Sequence, residues 1–467
     1  MLIPRTLIRR SRRRTLPQLS PLLYWLVVAI LVSPSFASGQ TGVGQGETAE
    51  RAAAAERAAS RDVELPPLPV PKPRLGELPL RPRVAEERLI IPDAGRVAWS
   101  VQGDFIAFDR RGEDGYYDIY LSTPEGGQER CLTCPLLETR NAHAMDPRWH
   151  PSGRWVVFRV QPRARALKMG AAEITSPAGG LHTELWVIST EGRSFYRLTQ
   201  TGHGSNSLLH PVFSHEGDRL AFAARVASRR GKWGEWVIRV ARFQLGRGVP
   251  RLSKVETHQP GQNKLFLSVH GFTPDDRGLI LSGNLDAGAP EAGRDLYRYD
   301  LVQRNLEPLT RSRGEADAEG LLSPDGRWLA FTSNRNLPPG QRRALGRFIP
   351  EARPEPRDLW LLYLGDEDAE GSERATFEPV PLTLFNHPAH VHSKGGVVVD
   401  SFAWAPAGAE ESELSQGTLL VHAVTDLQTG DEAIWRLEVD LAPPSPALDG
   451  PPPAWHSGAP TGAPAPK

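Results

Sequence analysis

Apolar and polar positions alternate along this chain in short runs, and one arrangement of them returns six times. An apolar pair enters a Ser, Pro, Asp or Gly turn, and a second apolar run leaves it. The clearest copies are Leu322-Ser323-Pro324-Asp325-Gly326-Arg327-Trp328-Leu329-Ala330-Phe331 and Trp149-His150-Pro151-Ser152-Gly153-Arg154-Trp155-Val156-Val157-Phe158. A third is Phe213-Ser214-His215-Glu216-Gly217-Asp218-Arg219-Leu220-Ala221-Phe222, and looser copies begin at Trp99, Phe272 and Trp404. Each apolar arm is too short for a helix and is bounded by turn residues, which predicts strands. A unit this small cannot bury its apolar face alone, so the copies must stack against one another.

Each copy extends into four predicted strands. In the first unit these are 97–100, 105–108, 117–121 and 130–133. The third strand recurs at 185–188, 236–240, 295–299, 358–362 and 433–437, and a Leu-Thr ending recurs at Leu198-Thr199, Leu309-Thr310 and Leu382-Thr383. Four-stranded antiparallel units repeated radially make a β-propeller, so the fold class is all-β with six blades spanning about residues 86–441. The sixth unit has no fourth strand, because Leu441-Ala442-Pro443-Pro444 follows its third and proline cannot donate to a ladder. An orphan strand at 87–91, Glu-Arg-Leu-Ile-Ile, precedes the first unit and is predicted to fill that gap and close the ring.

The Ser-Pro-Asp-Gly turn, the Ile-Ala-Phe strand at Ile106, the Asp-Ile-Tyr strand at Asp118 and the closing Leu-Thr together resemble the WD40-like repeats of the TolB propeller family. The resemblance covers about three quarters of the chain. TolB proteins carry a sizeable α/β domain before the propeller, whereas residues 38–85 are short and proline-rich, so the TolB role in an outer-membrane complex is not carried across. Similar propellers precede the hydrolase domain of prolyl oligopeptidase relatives; with fewer than 30 residues after blade 6, no such domain is expected here.

The 467 residues carry 55 basic and 55 acidic groups, but the balance is uneven along the chain. The first 37 residues hold six arginines and no acid, then the apolar run 22–32 and the small residues Ser35-Phe36-Ala37. That is the layout of a cleaved secretory signal, and the apolar run is short for a membrane span of roughly 20 residues. Ser11-Arg12-Arg13-Arg14-Thr15-Leu16 partly resembles a twin-arginine signal. The expected location is therefore periplasmic or secreted, with no stable membrane span after cleavage. Without the signal, 49 basic and 55 acidic residues remain, a mild negative charge of about −6 that disfavours nucleic acid as a partner. Residues 38–60 read as a helical or disordered tether, 66–82 with seven prolines as an extended linker, and 443–467 as a disordered Pro/Ala/Gly tail.

Candidate chemistry follows from the blade geometry. The Ser-Pro-Asp-Gly turns lie on one face and are tight; the variable connections, long in units 2 and 5, lie on the other, where binding residues concentrate. The first strand of each blade lines the central channel. Counting three residues back from its aromatic gives Arg96, Asp146, His210, Val269, Glu319 and Ser401, with Asp400 beside the last. Five of those six are polar, so we take the rim residues Arg96, Asp146, His210, Glu319, Asp400 and Ser401 as the candidate binding ring. A wet channel entrance is the plainer explanation of the same pattern. Cys131 and Cys134 suit a local disulfide, thiol exchange or metal, with a structural disulfide or inert thiols favoured. His390 and His392 would share a strand face and are weak metal candidates, while His150 sits at a tight turn and reads as structural.

No nucleophile elbow and no phosphate-binding glycine loop occur in the sequence. The expected function is therefore an exported scaffold that binds an envelope protein or peptide on its loop-rich face. No cofactor is predicted. The alternative is a metal-dependent hydrolase or lyase holding a divalent cation at the channel mouth.

Overall fold

The computed structural model describes residues 82–441 except 163–181, 201–206, 230–231, 263–265, 287–292, 312–314, 338–355, 366–377, 388–395, 408–415 and 427–429. The expected signal segment, tether and tail, and the histidines His390 and His392, lie outside the described residues. Among the described residues there is no helix, and so none long and apolar enough to cross a membrane. Twenty-four strands form six four-stranded antiparallel sheets, which are the blades.

β1 (Arg83–Pro92) comes first in the chain but belongs to the last blade. Blade 1 is β2 (Val97–Trp99), β3 (Ile106–Arg111), β4 (Tyr117–Ser122) and β5 (Arg130–Cys131). Blade 2 is β6 (Ala142–Trp149), β7 (Trp155–Pro162), β8 (Glu184–Ser189) and β9 (Phe195–Arg197). Blade 3 is β10 (Leu208–Phe213), β11 (Arg219–Arg229), β12 (Lys232–Gly246) and β13 (Val249–His258). Blade 4 is β14 (Leu267–Phe272), β15 (Gly278–Gly283), β16 (Asp295–Asp300) and β17 (Leu306–Pro308). Blade 5 is β18 (Asp317–Leu322), β19 (Trp328–Ser333), β20 (Asp358–Tyr363) and β21 (Val380–Pro381). Blade 6 is β22 (Val398–Trp404), β23 (Gln416–Asp426) and β24 (Asp431–Asp440), completed by β1.

The closure predicted from the orphan strand is present and longer than expected. β1 pairs antiparallel with β24 from Arg83 opposite Asp440 to Pro92 opposite Ala433. Ile91 is buried in a cluster with Ala94, Val97, Ile106, Phe108, Leu420 and Ile434, which joins blade 6 to blade 1. Five further clusters fill the other blade-to-blade contacts, so the core is divided into six wedges. Because each inner strand has a neighbouring blade on both faces, it is apolar at successive positions. Val157 faces blade 3 while Phe158 faces blade 1, and all six residues of β19 are buried.

The repeated motifs also form local hydrogen bonds. The Leu-Thr threonine accepts the N–H that follows the third-strand acid: Ile119 N to Thr133 Oγ1 is 2.9 Å, Leu296 N to Thr310 Oγ1 is 3.0 Å and Leu359 N to Thr383 Oγ1 is 2.9 Å. The same hydroxyl donates to that acid, with Thr133 to Asp118 at 2.6 Å and Thr383 to Asp358 at 3.0 Å. In the best turn, Trp328 N donates to Ser323 Oγ at 3.0 Å, and Gly326 takes a left-handed φ of 73°. Blade 4 places Asp276 at that glycine position with φ 57°. Its carboxylate accepts from His215 N at 2.9 Å and Glu216 N at 3.1 Å, tying the turn of blade 3 to that of blade 4. His150, read as structural, donates from Nε2 to Gly217 O at 3.0 Å and links the turns of blades 2 and 3.

Candidate functional site

The first strand of each blade from 2 to 6 is interrupted by a bulge near its start. A bulge leaves one residue outside the ladder and re-aims its side chain. Here the bulge residues are Asp146, His210, His270, Glu319 and Asp400, and Arg96 stands just before β2 in blade 1. Asp146, His210 and Glu319 have left-handed φ values of 56°, 48° and 49°. Few non-glycine residues adopt this conformation without compensation, so these positions are held by their surroundings.

The side chains converge on Arg96, which is 2% exposed. Its guanidinium lies 3.1 Å from Asp400 Oδ2, 3.4 Å from Glu319 Oε1 and 3.7 Å from Asp146 Oδ1. Asp146 is further paired with Arg159 at 3.1 Å and Arg148 at 3.2 Å. Asp400 is paired with Arg357 at 3.4 Å and with His422 at 3.9 Å, and His422 reaches Glu432 at 3.1 Å. Four of the predicted ring residues (Arg96, Asp146, Glu319 and Asp400) thus form one ionic network. The fifth, His210, approaches Glu319 at 3.7 Å.

Two positions need correction. The fourth ring residue is His270 rather than Val269, because the bulge of blade 4 is one residue shorter than those of blades 2, 3 and 5, which shifts the count from Phe272. Val269 is buried in the wedge between blades 3 and 4. Ser401 is not in the ring: it pairs opposite His422 in the ladder and accepts the Val97 N–H at 3.4 Å, joining blade 6 to blade 1. Its neighbour Asp400 takes the ring position.

Burial and charge act against each other throughout this network. Burial alone would raise Asp146, but Arg148, Arg159 and Arg96 overcome it and hold the carboxyl well below the usual range. Glu319 is likewise held low, against its burial, by Arg96 and the two histidines. Burial pushes His210 down to about 3, which makes its imidazole neutral. His422 is raised despite burial, through Glu432 and Asp400. Asp109 is pushed by burial up to about 7 even though it accepts the backbone N–H groups of Asp146 at 2.7 Å and Arg96 at 2.9 Å.

Beside the network a small cavity of about 20 Å³ is lined by Arg96, His210, His270, Arg294, Glu319 and Arg357, among others. His210, His270 and Glu319 each bring one ligand atom, all within 4.8 Å of one another. Two imidazoles and a carboxylate so placed are a donor set that fits a zinc- or manganese-type cation. Cys131 and Cys134 are joined as a disulfide and lie away from this pocket.

No protein-family model matches the chain. A segment of 73 residues is 33% identical to the uncharacterized protein YidR of Escherichia coli (strain K12), covering 16% of this chain and 17% of that protein. In structure the chain is similar to TolB from Acinetobacter baumannii (TM-score 0.41, 15% identical), over 74% of this chain and 63% of that one. It is also similar to an oligogalacturonate lyase from Vibrio parahaemolyticus (TM-score 0.41, 12% identical), over 75% of this chain and 91% of that one. The chain thus spans less than two thirds of the TolB chain and about a sixth of YidR. These likenesses assign no residue role.

Several residues of the network were not found from the sequence. Asp109, Arg159 and His422 stand directly after the apolar run of the second strand, as in Phe108-Asp109 and Phe158-Arg159. A charged residue there interrupts a run that is otherwise buried on both faces. That signal was present in the repeat itself.

Proposed function

We propose that this chain is an exported binding module of the cell envelope that takes a protein segment or peptide at its channel mouth. The observation that carries the reading is the collar of six polar residues, one from each blade, gathered around Arg96 and Glu319 beside a small cavity. Bulged strands on a rigid ring hold such groups in place before a ligand arrives, which lowers the ordering cost of binding. Arg294 and Arg357 on the pocket wall suit acidic side chains or a terminal carboxylate, through charge-assisted hydrogen bonds. Export is supported by the arginine-rich, then apolar, N-terminal sequence.

The test is selection of displayed peptides on the purified protein, followed by calorimetry of those enriched. The expected result is binding that weakens at least tenfold in Arg357→Ala. Failure to enrich any peptide, or equal binding to the variant, would sink the reading.

A second reading is favoured by the cluster of His210, His270 and Glu319: a metal-dependent hydrolase or lyase holding a divalent cation there. It predicts stoichiometric zinc or manganese in the purified protein, lost in His210→Ala/His270→Ala. Metal content unchanged by that double substitution would count against it.

A further inference from the structure

The turn that carries the Cys131–Cys134 disulfide does not need it, and the other repeats of the chain are the control. Cys131 pairs opposite Tyr120 in its ladder; the same place is taken by Arg197 opposite Trp186, Pro308 opposite Tyr297 and Pro381 opposite Trp360. The place of Cys134 is taken by Gln200, Arg311 and Leu384. These four turns nonetheless make the same bond from the leucine N–H to the third strand. Leu132 reaches Ile119 O at 2.7 Å, Leu198 reaches Leu185 O at 2.9 Å, Leu309 reaches Leu296 O at 2.7 Å and Leu382 reaches Leu359 O at 2.8 Å. They share the threonine tie as well. The bridge encloses only Leu132 and Thr133, and the shortest loops gain least from closure.

What the bridge has is access. It lies at the end of β5, the outermost strand of blade 1, with Cys134 exposed and Cys131 half-buried. The two sulfurs are not equivalent. Cys131 Sγ accepts the Cys134 N–H at 3.0 Å, and Cys134 Sγ lies 3.6 Å from the Tyr120 hydroxyl. A backbone N–H held against a sulfur stabilises negative charge on it, so Cys131 is placed to leave and Cys134 to be attacked. Leu137, on the same loop, is 70% exposed and offers an apolar contact to an incoming protein. An oxidising compartment explains that a bridge forms here. It does not explain an exposed bridge on a turn that three other blades make without one, nor an amide aimed at the less exposed sulfur.

We propose that Cys131 and Cys134 form a thiol–disulfide exchange site that oxidises a protein dithiol, with Cys134 the attacked sulfur and Cys131 the leaving one. A thiolate of the donor bonds to Cys134 Sγ, and the bond between Cys134 and Cys131 breaks with its electron pair on Cys131. The donor's second thiolate then attacks the donor sulfur of this mixed disulfide, and Cys134 leaves as the thiolate. The donor ends as a disulfide and this chain gains two electrons. The two protons lost by the donor thiols reach Cys131 and Cys134 through solvent. The site lies away from the ring, so exchange here and peptide capture at the channel mouth can fail separately.

The test is incubation of the folded full chain with reduced thioredoxin as the dithiol probe, quenched with iodoacetamide. Intact mass should rise by two carbamidomethyl groups, and the reduced chain should keep its far-UV circular dichroism with a Tm lowered by less than about 5 °C, the scale of a short local bridge in a domain of this size. Exchange should run about tenfold or more faster than with an oxidised synthetic peptide spanning residues 126–140, in which the Cys134 amide is not held against Cys131. Thioredoxin stripped of its resolving cysteine should be trapped as a mixed disulfide that maps to Cys134. No reduction of the folded chain, a rate equal to that of the peptide, or trapping on Cys131 overturns the proposal. So does a reduced chain that unfolds, which would make the bridge a structural staple. Every measurement uses the unsubstituted chain, so no result depends on a variant folding.

Discussion

The centre of the ring can be tested by removing its cation. Arg96→Met keeps the length and apolar stem of the side chain but deletes a charge that faces three carboxylates at 3.1–3.7 Å. At an effective dielectric near 20, each such pair is worth about 5 kcal/mol of Coulomb energy, and most of this is offset by the cost of burying the charges. Removing one partner of a buried set leaves the others uncompensated, for a net loss of about 3–5 kcal/mol. The partners do not suffer equally. Asp146 retains Arg148 and Arg159, and Asp400 retains Arg357 and His422, whereas Glu319, among the described residues, retains only His210 and His270. Glu319→Gln added to Arg96→Met should therefore recover about 1–2 kcal/mol, and Asp146→Asn should recover less. Urea unfolding followed by tryptophan fluorescence and far-UV circular dichroism reads this as a midpoint lowered by roughly 1 M in Arg96→Met, at unchanged slope. A single variant within about 1 kcal/mol of wild type, or a Glu319→Gln cost that simply adds to it, would refute the account.

The ring closure and the turn contacts lead to two more expectations. Ile91→Ala removes a side chain that is 1% exposed in the wedge between blades 6 and 1 and should cost about 2–4 kcal/mol, while Leu89→Ala, 47% exposed on the same strand, should cost under about 1 kcal/mol; equal effects would contradict closure by β1. Asp276→Ala deletes the acceptor shared by His215 and Glu216 and should cost about 1–3 kcal/mol at neutral pH. Burial would raise the Asp276 carboxyl, but its bonds to His215 and Glu216 hold it below the usual value. Its contribution is thus fully present above the ordinary aspartate pKa near 3.9 and is lost as pH falls through the depressed folded value. The gap between wild type and Asp276→Ala in thermal melts should narrow on acidification, and a gap constant from pH 7 to pH 3 would contradict this.

The blades were legible in the sequence because each repeat satisfies itself locally. Ser323 closes its own turn, Thr383 ties Asp358 to its own blade, and the apolar runs are buried on both faces wherever they occur. The closing strand was legible because Pro443 and Pro444 leave a blade without its fourth strand. The ring was only partly legible. A fixed count back from an aromatic assumes a bulge of fixed size, and it found Asp146, His210 and Glu319 where that holds and missed His270 where it does not. Arg159 and His422 stand on second strands, outside any count back from the first-strand aromatic. Contacts such as Arg96 to Glu319 join residues 223 positions apart, and no local pattern encodes them.

The same ring position carries four kinds of side chain across the six blades: one arginine, two aspartates, two histidines and one glutamate. If the collar served only to fill a channel, one small polar residue repeated six times would do so without burying charge. Instead three of the six adopt a left-handed backbone, each at a cost of about 1–3 kcal/mol, and the central arginine is buried at further expense. The result is a polarised mouth, with histidines from blades 3 and 4 beside the carboxylate of blade 5, and Arg96 joining the carboxylates of blades 5 and 6. Left-handed backbone and buried charge that meet in one ring mark a place where stability has been given up. That asymmetry makes the ring, rather than the turns that define the repeat, the surface on which the function of this propeller should be sought.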